Sequence, residues 1–255
     1  MAHSVGHPQD SVYHVFIKPM SYLYRTIALS NHPLARSLRT VYRTMNSISL
    51  PQAGWLFRPL LYAYLALHEA YYFILRVFIC EPFFKACCTR YGSNLHTGAS
   101  IHCVKGRGNL VVGSNVIISG RCHFEFGYME EPTLCIGNHV VIGHSTSFTI
   151  GRKITIGDWV LIGPRVEIFD TPGHPVDPGL RRAGSRALPE DMKPICIKDG
   201  VWIGRAAVIF PGVTIGENSV VATAAVVMNN VPANVLVAGN PARQISQITR
   251  KGDLS

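Results

Sequence analysis

Residues 197–232 read IKDGVW IGRAAV IFPGVT IGENSV VATAAV VMNNVP, six units of six residues in unbroken register. An aliphatic residue opens every unit (Ile197, Ile203, Ile209, Ile215, Val221, Val227), and four places later stands a small or β-branched one (Val201, Ala207, Val213, Ser219, Ala225, Val231). Helices repeat near 3.6 residues and flat strands at 2. A strict period of six therefore fits short strand, turn, short strand, with the opening residue always returned to the interior. Stacked coils of this kind bury a column of aliphatics that no single coil could bury alone. The chain reads as a mainly β solenoid, and the period by itself leaves its hand open.

The same units occur upstream as IGNHVV and IGHSTS from Ile136 and as IGDWVL and IGPRVE from Ile156, with FTIGRKIT between the pairs. A glycine follows the opening residue at 137, 143, 157, 163, 204 and 216, which suits corners where a Cβ would crowd the chain. Between Glu167 and Ile197 the register is lost in a Pro- and Gly-rich excursion, FDTPGHPVDPGLRR, whose only histidine is His174. Loops on rigid scaffolds commonly carry sites. An imidazole, with an ordinary pKa of about 6.5, can take a proton near neutral pH. Pro175 biases His174 toward extended backbone. The plainer reading is a surface loop histidine.

The hexads, the histidine loop, VWIGRAAVIFPGVTIGENSVV and the closing GNPAR together resemble the hexapeptide-repeat acyltransferases, most closely the O-acetyltransferases of sugars and polysaccharide precursors. The resemblance covers residues 91–248. It implies a left-handed parallel β-helix of triangular cross-section, a homotrimer with sites at subunit boundaries, and acetyl-CoA as donor. It implies His174 as general base, the backbone N–H of Arg205 after Trp202-Ile203-Gly204 as oxyanion donor, and Trp202 as a wall of the tunnel. Asp170, Asp177 and Glu167 are all near enough in sequence to orient His174; a salt bridge to Arg181 or Arg182 is the duller role for Asp177, and corner packing for Trp202. CoA would run past Trp202, Gly204, Arg205, Ala222 and Ala224 toward Asn229 and Arg243. Two departures stand out: Ala224 where the family often has glycine, and Met228-Asn229 where many members have Thr-Lys. Phosphate contacts would then fall on Arg243, Lys251, or Arg181, Arg182 and Arg186. Ser147, Arg152 and Lys153 stand where the simple galactoside enzymes carry Asn and Asp for the sugar, so the expected acceptor is not a free simple sugar but a lipid-linked sugar or polysaccharide precursor. Another lipid or a small hydroxyl or amine acceptor is the alternative.

The N-terminal 90 residues differ in character. Of 24 Lys plus Arg against 15 Asp plus Glu in the 255-residue chain, Lys18, Arg25, Arg36, Arg39 and Arg43 precede residue 44 against only Asp10, among Tyr13, Phe16, Tyr22, Tyr24 and Tyr42. Trp55 to Phe84 is long and apolar enough for a membrane helix, but Arg58, His68, Glu69, Arg76 and Glu81 interrupt it. An interfacial helix, a span with a polar centre, a docking arm and a core helix are the four readings. The basic, Tyr-rich arm favours peripheral or monotopic attachment on the cytoplasmic side. The expected organisation is a membrane-associating helical region (1–90), the solenoid (91–248) with a catalytic loop (168–196), and a tail (249–255).

Other chemistries are weaker. His102, His139 and His144 raise the zinc-binding γ-carbonic anhydrases, which share the solenoid, but the hexad register opposes a metal site, and none is expected. A non-catalytic scaffold would have no use for the histidine loop. No recognition motif supports nucleic-acid binding. The seven cysteines, with no CxxC pair, read as reduced thiols of a cytosolic protein. MAHSVGHPQD lacks the features of a secretion signal.

Overall fold

The computed structural model describes residues 29–49, 53–127 and 131–249. Lys18, Arg25, the four aromatic residues before position 25, and Lys251 lie outside them. Every hexad-opening residue from Ile197 to Val227 is buried, and so are the residues four places later. Between them the chain runs as two- to four-residue strands, turning a corner after each. Three strands complete a coil, so Val208 lies beside Val226, eighteen residues on.

Parallel pairing of successive coils builds three faces. The first stacks Arg90–Tyr91, Asn109–Val112, Thr133–Ile136, Lys153–Ile156, Ile195–Ile197 and Thr214–Ile215. The second stacks His96–Thr97, Ile117–Ile118, Val141–Ile142, Leu161–Ile162, Trp202–Ile203, Val220–Val221 and Val235–Gly239, and ends on Ala242–Gln247 in antiparallel pairing. The third stacks Cys103–Lys105, His123–Phe126, Ser147–Ile150, Glu167–Phe169, Val208–Ile209 and Val226–Val227. The period of six is thus a parallel β-solenoid, and the inward column is its core.

The corners explain the glycines. A Cβ added to Gly204 would fall 2.6 Å from the backbone nitrogen of Thr223 in the next coil, so only glycine lets the coils stack there. At the edge between first and second faces the backbone enters the left-handed region once per coil, with φ of 54 to 67° at Asn94, Asn115, His139, Trp159, Gly200, Asn218 and Asn234. Asn and Gly tolerate that region best. The two exceptions, His139 and Trp159, stack on each other with ring centres 3.9 Å apart and planes 3° from parallel.

Among the described residues, four α-helices accompany the solenoid. His32 caps α1 (Pro33–Ser47) by accepting from Leu34 N–H, and Pro33 supplies the fixed φ of a first turn. α2 (Gly54–Leu75) passes through a π-turn at Arg76–Cys80 into α3 (Glu81–Cys87). α4 (Pro178–Arg182) lies in the loop. Contacts divide the chain into two units, Met1–Tyr64 and Leu65–Ser255. Phe84 of α3 is 2% exposed, belongs to the solenoid core and packs 5.4 Å from Phe124, because the first coil leaves apolar side chains open at its end. The most apolar window of the continuous helix Gly54–Cys87 is only 6% buried, which removes the core-helix reading. All seven cysteines are free thiols.

Candidate active site

The loop leaves the third face at Phe169 and returns on the first at Ile195, so it stands on the edge between them. Asp170 anchors its base. Its buried carboxylate accepts N–H bonds from Gly151, Arg152 and Lys153 of the preceding coil, and its carbonyl accepts from Lys193 N–H at 2.9 Å, closing the loop. Burial pushes the Asp170 carboxyl above the usual range, and the three N–H donors pull the other way. Asp177 caps α4 by accepting from Leu180 N–H at 2.8 Å. Arg181 donates to the carbonyls of Pro175 and Val176. His174 is exposed between these two braces.

Each carboxylate considered as its orienting partner is thereby placed. Asp170 and Asp177 are committed to backbone donors, and Glu167 is exposed on the third face. Among the described residues none is hydrogen-bonded to His174. Arg181, a candidate for CoA phosphate, instead holds the loop. Beneath the loop a cavity of about 340 Å³ is lined by Glu125, Phe126, Thr149, Thr171, Arg186 and Met192, among others. Such a volume suits a small ligand or one sugar unit. It is not visible in the sequence, because its lining comes from separate coils and the loop, between Glu125 and Met192.

The remaining candidates except Asn229 lie on a different edge, between second and third faces. Trp202 points outward from the second face and is 51% exposed. Gly204 stacks under Ala222, whose N–H donates to Val237 O at 2.9 Å, and Ala224 N–H donates to Arg205 O at 2.8 Å. Arg243 pairs with Ala238, the next residue along. Gly204, Ala222 and the Ala238–Arg243 pair thus stack along the solenoid axis, with Trp202, Arg205 and Ala224 beside them on the same edge. Gly204 is buried, so its contribution is close backbone approach. The Arg205 N–H has no acceptor among the described residues, as an oxyanion donor requires. Asn229 falls on the other edge, near the loop. Within one chain the structure therefore gathers the residues expected to meet CoA, Asn229 excepted, on one edge and places His174 on another.

The three histidines of the metal reading are dispersed. His102 is buried and accepts from Cys122 N–H at 3.1 Å, His139 stacks on Trp159, and His144 is exposed at another corner.

No protein-family model matches the chain. Galactoside O-acetyltransferase of Escherichia coli is 38% identical over 137 residues, 54% of this chain and 63% of that protein, a little under two thirds of its length. Nodulation protein L of Rhizobium meliloti is 37% identical over 155 residues, 60% of this chain and 80% of that protein. Among solved structures, an N-acyltransferase from Bacillus cereus in complex with dTDP and coenzyme A gives a TM-score of 0.55 at 22% identity. It covers 68% of this chain and 91% of that one, a likeness of fold.

Proposed function

Because the chain belongs to the hexapeptide-repeat acetyltransferases of the galactoside O-acetyltransferase and nodulation protein L type, we propose that it moves an acetyl group from acetyl-CoA to a hydroxyl of a lipid-linked sugar or polysaccharide precursor. The observation that carries the mechanism is the placement of its two halves on different edges. A site containing both His174 and the Arg205 N–H forms where the loop edge of one copy meets the Trp202 edge of the next. The second face supports such assembly. Its outward column, Ile117, Val141, Leu161, Trp202, Val220 and Leu236, is apolar from coil to coil, with Ile117 46% and Leu161 43% exposed. The other faces carry Thr133, Lys153 and Thr155, or His123, Glu125 and Glu167, at outward positions. An exposed apolar column of this length fits a protein interface, here the homotrimer.

In that cleft the acceptor oxygen attacks the thioester carbon while His174 takes its proton. The oxyanion rests on Arg205 N–H until the C–S bond breaks and the imidazolium returns the proton to the leaving thiolate. Trp202 walls the acetyl end, and the line through Ala222 and Ala224 to Arg243 accommodates the pantetheine arm and a phosphate. The cavity under the loop takes the acceptor. The exposed apolar α2 keeps the enzyme at the cytoplasmic face of the membrane, where a lipid-linked acceptor is held.

The test is thiol release from acetyl-CoA with membrane lipid-linked glycans as acceptor. His174→Ala should lower kcat by about 10²- to 10⁴-fold. Its melting temperature should stay that of the wild type, because the side chain is exposed. Equal rates in the two proteins would remove His174 from the site.

A further inference from the structure

The membrane attachment read above leaves open whether α2 crosses the bilayer. Its charges answer in geometry. Arg58 and Glu69 are eleven residues apart, about three turns, and Arg58 and Arg76 eighteen apart, about five turns. The three therefore stack on one line along the helix. On the opposite line lie Leu56, Leu60, Leu67 and Ile74, which are 45%, 59%, 72% and 53% exposed. A span would let the two arginines reach opposite interfaces but would leave Glu69, with its side chain 83% exposed, and the neighbouring His68 within hydrocarbon. A helix lying flat places all three charges in water and the whole leucine line in lipid.

α1 repeats the pattern with stronger charge. Leu34, Leu38, Val41 and Met45 recur at helical spacing and are 54 to 68% exposed. Arg36 and Arg43, seven residues apart, stand on the other side, both exposed. No acidic residue occurs between positions 29 and 49. Cationic on one side and apolar on the other, such a helix matches an anionic lipid surface.

We propose that α1 and α2 form an in-plane anchor on one leaflet of an anionic membrane. The proposal rests on the attachment read above and is independent of the acetyl-transfer chemistry. Full-length protein would be floated with phosphatidylcholine vesicles, with and without phosphatidylserine. Attachment to phosphatidylserine vesicles should be stronger and should weaken with salt. Arg36→Gln and Arg43→Gln should each lower it by about fivefold, from about 1 kcal/mol per cation near such a surface. Neutral-vesicle binding and thiol release with a soluble acceptor should not change. Epitope tags at the two ends of the chain, probed by protease in sealed microsomes, should be digested from the same side. Tags on opposite sides would establish a span and overturn the proposal. An arginine-insensitive or lipid-charge-insensitive attachment would overturn it as well. Failure to float with either vesicle would overturn attachment altogether and assign the apolar line to a protein partner, while thiol release would still report the chemistry.

Discussion

His102 shows how a single side chain acquires a role that its sequence position conceals. With His139 and His144 it has a spacing that invites a metal, yet its Nδ1 accepts the Cys122 N–H, so the neutral ring carries its proton on Nε2. Phe84 and Phe124 surround it, with ring centres 4.9 and 6.1 Å away. Burial lowers its pKa to about 4. In the unfolded chain the ring titrates near about 6.5, so between those values the unfolded state binds the extra proton. Stability from this group is complete above about pH 6.5 and falls as pH drops toward 4, by up to about 3 kcal/mol. Melts at pH 7 and pH 4.5 should show the loss. His102→Asn, which keeps an acceptor for Cys122, should flatten that pH dependence; an unchanged slope would assign it to other groups. The place of His174 on an excursion from the repeat was legible in the hexad register. The use of Asp170 was not, since its three donors come from a coil 17 to 19 residues earlier and only the stacking register brings them together.

Among elements, the short α3 has an effect out of proportion to its seven residues. In a solenoid each coil is supported by its neighbours, so the first has support from one side only. Phe84 supplies the missing contact. Phe84→Ala should cost about 3–5 kcal/mol, and hydrogen exchange should locate the loss in residues 90–126 while the strands after Ile195 remain protected. Uniform loss of protection would show instead that the solenoid opens as one unit. This cap was not legible, because EPFF reads as the end of one apolar helix and nothing in the hexads specifies what closes them. The coils from Ile136 onward were legible from their strict period. Those between Cys103 and Phe126 were less so, since no pair of consecutive hexads opening with Ile-Gly occurs there.

At the scale of the whole molecule, the proposed function makes catalysis a property of neighbours, because its two halves lie on different edges. Pro164 occupies the corner position one coil before Arg205, as the bonds from Ala206 N–H to Pro164 O and from Arg165 N–H to His144 O place it. Arg205→Pro should therefore fold and lack only the oxyanion donor. That variant and His174→Ala should each be inactive alone. Co-assembled in equal amounts they should regain roughly a quarter of wild-type turnover, because random pairing around a ring unites intact halves at one boundary in four. No recovery would place both halves in one chain. The hexads disclosed the solenoid but not this division, because which edge a residue occupies depends on counting coils through a loop that breaks the count. Between Ile197 and Val227 the eighteen-residue coil also gives the chain a spatial reading frame alongside its genetic one. A loss of six residues would turn everything downstream by one face and carry Arg243 away from the donor line. A loss of eighteen would restore every face and only shorten the prism. Insertions should be absorbed best where the frame is already open, in the loop between Asp170 and Lys193, so the segment that carries His174 is also where this architecture can vary most freely.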